Sequence, residues 1–207
     1  AGSVPVVQSV LSRMDKAGGI GVRIGVNRNR YMVSPGLYAL GTPDPESDVL
    51  VTANYKLTFD ALRSAILTLN VWILVLDTKG VNVWCAAGKK TFSTAEVVHR
   101  VKNTGLDQVV SHRRLILPQL GATGVSAGAV KKATGFTAVY GPVRAKDIPA
   151  FLADGRKADA AMRRVTFTFT ERLVLTPIEL RLALKPALIA ALCVLLVSGL
   201  GPGIFAP

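Results

Sequence analysis

The chain has 207 residues, with 25 Lys and Arg against 13 Asp and Glu for a formal net charge of +12, and half of its side chains are apolar. That length suits one α/β domain with a surplus, and that apolar fraction excludes a disordered chain. Two cysteines, Cys85 and Cys193, exclude a disulfide scaffold, a four-cysteine zinc site and a self-contained iron–sulfur cluster. Two histidines, His99 and His112, leave little for a histidine-based metal site.

Ile20–Val26 and Tyr31–Val33 read as two short strands around the polar turn Asn27-Arg28-Asn29, and Thr42–Pro45 reads as a loop. An alternating pattern follows. Val49–Thr52 is an apolar strand, and Leu57–Leu69 has helical periodicity. Trp72–Leu76 is a continuous apolar run, as in a strand buried on both faces. Ser93–Asn103 is a helix with Ser93 or Thr94 as its cap, Glu96 in its first turn and Gly105 beyond its end. Leu115–Leu117 is a strand, Ser126–Thr134 a helix, Phe136–Tyr140 a strand and Ile148–Ala153 a short helix. The alternation predicts an α/β fold: a Rossmann-like, mainly parallel sheet with helices on both faces. Ligands of such sheets bind outside the carboxyl ends of the strands.

Charge is uneven along the chain. Residues 1–112 carry 12 basic and 8 acidic groups, residues 113–185 carry 13 and 5, and nothing after Lys185 is charged. Ala187–Ala206 would make a helix ~30 Å long, the thickness of a bilayer's hydrocarbon core. Arg163, Arg164, Arg172, Arg181 and Lys185 precede it. The positive-inside rule therefore puts the large N-terminal part on the cytoplasmic side of the cytoplasmic membrane. Thr176-Pro177-Ile178-Glu179 reads as a capping box opening a short amphipathic helix, which Pro186 interrupts before the span. The expected organisation is a cytoplasmic domain over 1–160, a basic connector over 161–186 and a transmembrane helix over 187–206. Because the chain stops at Pro207, close to the end of the apolar run, it reads as a fragment of a longer membrane protein. Aromatics are 6% of the chain, too few for a stacking surface. The basic excess is therefore assigned to an anionic leaflet and not to nucleic acid.

Three segments carry candidate chemistry. Gly121-Ala122-Thr123-Gly124, continuing to Gly128, follows a strand and enters a helix, so it offers backbone N–H groups to a phosphate or makes an ordinary tight turn. It lacks dinucleotide spacing and a Walker lysine. The triplet Gly18-Gly19-Ile20 with Gly21 precedes no helix and is discounted. His99 and His112 have no partner at metal-ligand spacing and read as surface or packing residues, and Cys193 reads as packing within the apolar run. Asn82-Val83-Trp84-Cys85-Ala86-Ala87-Gly88-Lys89 differs. It follows Trp72–Leu76 by the turn Asp77–Gly80, at the ligand edge of the sheet. Cys85 would open a helix there, with Lys89 and Lys90 near, and Ala86, Ala87 and Gly88 present almost no side chain to a large flat ligand. A poised thiolate beside a smooth surface and a half-buried cysteine in a turn both fit.

Asn82–Lys89 resembles the signature of the membrane-bound corrinoid protein of microbial mercury methylation. Val51–Arg63, Lys89–Thr94, Leu115–Gly128 and Tyr140–Leu152 extend the resemblance over most of Val49–Leu152. Ala86–Lys89 and Gly141–Leu152 also resemble the corrinoid domain in the large subunit of the corrinoid iron–sulfur protein of acetyl-CoA synthesis. The first resemblance implies a cobalamin-type corrinoid on a cap helix, with Cys85 as lower axial ligand of cobalt. Asn82 and Trp84 would fix that helix, Ala86, Ala87 and Gly88 would give the ring clearance, and Val83 and Lys89 are expected among the residues that bind the cofactor. Thr52 and Asn54 are expected near the upper face, and Gly121, Ala122, Thr123 and Gly124 around the nucleotide tail. It implies a methyltransferase that passes a carbanion equivalent or a methyl radical to Hg(II), and a soft thiolate donor suits the carbanion route. It also implies a ferredoxin-like electron donor with two 4Fe–4S clusters, a methyltetrahydrofolate-type methyl donor and further membrane helices. Two alternatives stand beside it: a corrinoid methyl carrier of one-carbon and acetyl-CoA metabolism, and a non-enzymatic, membrane-anchored nucleotide-binding module.

Overall fold

A computed structural model of the chain describes residues 3–198. They form two compact units, one running up to Gly18 and from Asn29 to Val165, the other from Gly19 to Arg28 and from Thr166 onward.

The first unit is built on a six-stranded sheet. Its strands are β1 (Val6–Val7), β2 (Gly36–Leu40), β3 (Val49–Ala53), β4 (Val71–Leu76), β5 (Arg114–Leu117) and β6 (Thr137–Tyr140), in the order β1-β2-β4-β3-β5-β6. All neighbours are parallel except β2 and β4, which run antiparallel with Tyr38 opposite Ile73. The helices of this unit are α2 (Lys56–Ala65), α3 (Val83–Gly88), α4 (Thr94–Asn103), α5 (Leu106–Val109), α6 (Ala127–Thr134) and α7 (Ile148–Ala153), preceded by α1 (Arg13–Arg23), which continues into the second unit. The mixed α/β class and the mainly parallel sheet are as expected.

Two cores follow from the strand alternation. Val49, Val51, Leu74, Leu76, Leu115 and Leu117 pack with residues of α3, α4 and α6 on one face. Leu50, Val71, Ile73, Val75 and Ile116 pack with residues of α2 and α7 on the other. β3 and β4 are central strands that are buried on both faces, which is why they read as unbroken apolar runs. Each fully buried side chain, such as Phe92 or Phe151, contributes about 1.5–3 kcal/mol.

Several elements differ from the sequence expectation. Ile20–Val26 is not a strand. The Ser12 hydroxyl accepts from the Asp15 N–H at 3.1 Å, the Asp15 carboxylate accepts from the Ser12 N–H at 3.0 Å, and α1 follows this reciprocal cap. Gly18, Gly19 and Gly21 therefore lie inside a helix. Tyr31–Val33 contributes only a bridge from Met32 to Tyr55. Strand β2, absent from the sequence reading, occupies Gly36–Leu40.

In the second unit the capping box is one turn-pair earlier than expected. Thr168 and Glu171 cap α8 (Phe169–Leu173), whereas the Thr176 hydroxyl bonds back to the Arg172 carbonyl oxygen. Helix α9 then runs Thr176–Ser198 with Pro186 inside it, so connector and apolar run are one helix and not two. Pro186 there lacks the N–H for one backbone hydrogen bond and its ring crowds the carbonyl four residues earlier, at a cost of about 3 kcal/mol. This helix is long and apolar enough to cross a membrane and is not buried within the protein. The rest of the expected span, from residue 199, lies outside the described residues.

Candidate functional site

The carboxyl edge of the sheet positions the site. The chain enters β3, crosses to β4 on one side, and places β5 on the other side of β3. The strand order thus reverses at β3, and such reversals open a crevice at the strand ends. Helix α3 leaves β4 through Asp77–Asn82 and packs against the 3-10 turn Gln119–Gly121 that follows β5, so it lies across that crevice.

The turn under α3 is fixed by a buried asparagine. Asn54, immediately after β3, accepts through Oδ1 from the Thr78 N–H (3.1 Å), the Thr78 hydroxyl (2.8 Å) and the Gly80 N–H (3.0 Å). Its Nδ2 donates to Asp77 Oδ1 at 3.3 Å. The Asp77 N–H donates to Glu96 Oε1 on α4, which Arg100 holds at 2.7 Å. Burial works to raise the Asp77 carboxyl, but hydrogen bonds from the Lys79 ammonium and N–H outweigh it and hold the group below the ordinary carboxylate value.

Helix α3 itself has two sides. Val83, Ala86 and Ala87 are buried in the core, while Trp84, Cys85 and Gly88 face outward. Asn82 is the N-cap, and its side-chain oxygen accepts from the Cys85 N–H at 2.9 Å. The far end is pinned by the Ala86 carbonyl, which accepts from the N–H groups of Thr91 and Phe92. Phe92 is fully buried and is the hub behind the helix. A Cβ on Gly121 would lie 2.5 Å from the Phe92 ring, and one on Gly124 would overlap the Phe92 carbonyl oxygen and sit 3.1 Å from Ala87 Cα. The glycines of this loop are therefore needed for close packing on the cap helix.

Of the sequence-selected residues, Ala87, Gly88, Thr123 and Gly124 line an open cleft of about 400 Å³ with Lys90, Ser93, Thr94 and Ala95, and Cys85 is not in its lining. Ala122 adjoins it in sequence, and Lys89 is exposed at the end of α3. Thr52 and Asn54 differ in setting, because each is only 3% exposed. Asn54 supports the turn from beneath. Thr78 and Phe92 were not selected from sequence, and only the Asn–Thr–Gly chemistry of a strand end and its turn hints at the first of them.

The remaining candidates are elsewhere. His112 accepts from the Arg114 N–H at 3.2 Å and lies 2.9 Å from the Ser47 carbonyl oxygen, so it bridges backbone groups. His99 meets Asn103 along α4. Among the described residues no group of three or more His, Cys, Asp or Glu is placed to hold a metal ion.

Residues 27–152 match the family described as CO dehydrogenase/acetyl-CoA synthase delta subunit. The acetyl-CoA decarbonylase/synthase complex subunit gamma of Methanocaldococcus jannaschii is 37% identical over 129 residues, covering 60% of this chain and 26% of the relative. Its counterpart in Methanopyrus kandleri is 34% identical over 127 residues, covering 60% and 27%. That of Archaeoglobus fulgidus is 31% identical over 127 residues. The chain thus spans about a quarter of the length of these relatives. These matches overturn the family drawn from Asn82–Lys89 and the stretches that extend it over most of Val49–Leu152. Mercury methylation, with Hg(II) as substrate and a mercury methyltransferase as the enzyme, is withdrawn in favour of the acetyl-CoA alternative. The chain belongs to the CO dehydrogenase/acetyl-CoA synthase delta subunit family.

Proposed function

We propose that the α/β unit is a corrinoid-binding methyl carrier of acetyl-CoA metabolism, with its corrinoid seated on α3 and Cys85 directed at the cobalt. The observation that carries the methyl-carrier reading is the family match over residues 27–152, and an exposed cysteine on a capped helix across the sheet's strand-order reversal supports the place given to Cys85. The residues present fit such a group. A Cβ at Gly88 would meet nothing within 4 Å, so the outward side of α3 has clearance for a broad, flat ligand. Sulfur is a soft donor suited to a transition metal. A bound corrinoid supplies the metal centre that accepts and releases the methyl group.

The chain's own residues supply position and shape. Asn82 holds the Cys85 backbone, and Asn54 holds the turn that aims α3. Trp84, 51% exposed, places an indole next to Cys85 in the sequence. Lys90, Ser93, Thr94 and Thr123 give the adjoining cleft the polar and cationic groups that suit an anionic ligand tail. A methyltetrahydrofolate-type donor and a ferredoxin-like reductant are the partners this reading calls for. Helix α9 is proposed as a membrane span, with the α/β unit on the cytoplasmic side.

The test is the visible spectrum of the full chain in detergent after reconstitution with cobalamin. Wild type retains colour after gel filtration, Cys85→Ala shifts the spectrum, and Cys193→Ala leaves it unchanged. Colourless wild type overturns corrinoid binding. Identical spectra for wild type and Cys85→Ala remove Cys85 from the metal while leaving the carrier reading in place.

A further inference from the structure

The second unit carries a feature that methyl transfer does not use. Residues 19–28 present two sides. Gly19 and Val22 are buried, while Ile20 (63%), Ile24 (45%) and Val26 (45%) are exposed. Arg23 and Arg28 are also exposed, and no acidic residue lies between Gly19 and Arg28. A soluble surface does not gain from three neighbouring aliphatic side chains in water.

This segment is docked on α9. Helix α1 ends in a Schellman-type turn, with the Gly25 N–H donating to the Val22 carbonyl and the Val26 N–H to the Gly21 carbonyl. Gly25 takes φ +85°, and a Cβ there would lie 2.8 Å from Ile178 Cδ1 and 3.0 Å from Arg181 Cδ. Only glycine permits both the turn and the contact. Arg181 then donates to the Ile24 carbonyl oxygen at 2.8 Å.

Depth follows from the same contact. Arg181 precedes Lys185, the last charged residue of the chain, by four helical residues, or ~6 Å. The headgroup layer on each side of the hydrocarbon is about 5–7 Å thick, and interfacial apolar faces sit about 5–10 Å into the boundary. Ile24 therefore lies at headgroup level if α9 spans the bilayer.

We propose that Gly19–Arg28 is a membrane-surface element: Ile20, Ile24 and Val26 insert at the headgroup–acyl boundary of an anionic leaflet beside α9, and Arg23 and Arg28 meet lipid phosphates. The proposal rests on the reading of α9 as a span. The occupant is lipid because the charged residues within Gly19–Arg28 are arginines alone and the segment is tied through Arg181 to the foot of an apolar helix.

The experiment uses the full chain in phosphatidylglycerol nanodiscs with one environment-sensitive fluorophore per protein. The label goes on Ile24→Cys in a Cys85→Ser, Cys193→Ser background. A label on the native Cys193 in Cys85→Ser reports α9, and one on Lys131→Cys gives an exposed reference. The expected result is quenching of the position-24 label by lipids carrying a nitroxide near the headgroup, at a depth between those of 193 and 131. Gly25→Val moves that reading towards the aqueous reference. If the 193 label is lipid-quenched and the 24 label reads like 131, the proposal fails and the span stands. If neither is lipid-quenched, both fail. A 24 label shielded from lipid and aqueous quenchers alike is covered by protein, such as a second copy, and also overturns the proposal.

Discussion

Asn54→Ala isolates the support of the cap helix from its surface chemistry. Three donors converge on Asn54 Oδ1. The Thr78 hydroxyl has a second acceptor, the Val81 carbonyl at 2.7 Å, and loses little. The Gly80 N–H is half-buried, and water replaces part of its bond. The Thr78 N–H is different, because Thr78 is fully buried and no solvent reaches it. An orphaned buried donor costs about 1–3 kcal/mol. With the smaller Gly80 loss the local cost is about 2–3 kcal/mol, or about 30- to 150-fold in an opening equilibrium. Amide hydrogen exchange on the full chain in detergent reads this directly. Exchange at Thr78, Gly80 and Cys85 accelerates by that factor, while β5 and β6 are unchanged. Asn54→Asp keeps the acceptors but faces the Asp77 carboxylate, so its exchange relative to wild type at the same pH is accelerated more at pH 7 than at pH 4. Unchanged exchange at Thr78 and Cys85 in Asn54→Ala would refute the role given to this residue.

Two further changes test other parts of the unit. Gly124→Ala places a Cβ against the Phe92 carbonyl oxygen, a backbone atom that cannot rotate away, so overpacking costs about 1–3 kcal/mol and weakens cobalamin retention, whereas Gly128→Ala, in helix α6 with nothing within 4 Å, leaves retention unchanged and does not lower stability; denaturant midpoints and gel filtration check this. The N-terminal segment is latched to α2 by Asp15, which pairs with Lys56 and Arg63. The Lys56 hydrogen bond, against opposition from burial, holds the Asp15 carboxyl well below the usual carboxylate range, so the latch is intact above the unfolded pKa of ~3.9 and weakens as pH falls through the depressed folded value. Asp15→Asn is accordingly more protease-sensitive than wild type at pH 7, and the difference narrows in strong acid.

Legibility of the fold tracked how local each cause was. Helices α4 and α6 could be placed because Ser93 and Ser126 cap them through their own side chains, a three-residue interaction that the sequence displays. Strands β3 and β4 announced themselves because both faces are buried. Helix α1 did not. Three glycines within it argue against a helix on propensity, yet a Cβ on Gly18 would lie 2.6 Å from Tyr31 Oη, so one of them is there for a packing contact that sequence alone does not reveal. Strand β2 has five residues, begins with glycine and lacks β-branched side chains; its antiparallel register against β4 defines it. At Pro186 a local rule pointed to a break, and the apolar helix continues through it.

The site shows the same division at finer scale. Asn82, Cys85 and Gly88 are close in sequence, so a capped helix with one small-residue face could be read directly. Asn54 was selected for the right edge of the sheet, but a residue at a strand end can face a ligand or brace the next turn. Its three inward donors lie 24 and 26 positions away, and only the tertiary structure brings them together. The Gly121–Gly124 loop shows the converse. Its glycines fitted either exposed N–H groups or a tight turn, and Phe92 and Ala87 use the space that the missing side chains at Gly121 and Gly124 leave. Asn82–Lys89 and the stretches that extend it over most of Val49–Leu152 all lie within the family match over residues 27–152, so the same sheet, turn and loop stand under both family readings, and a cap helix with its support is a feature of the fold before it is a mark of one family.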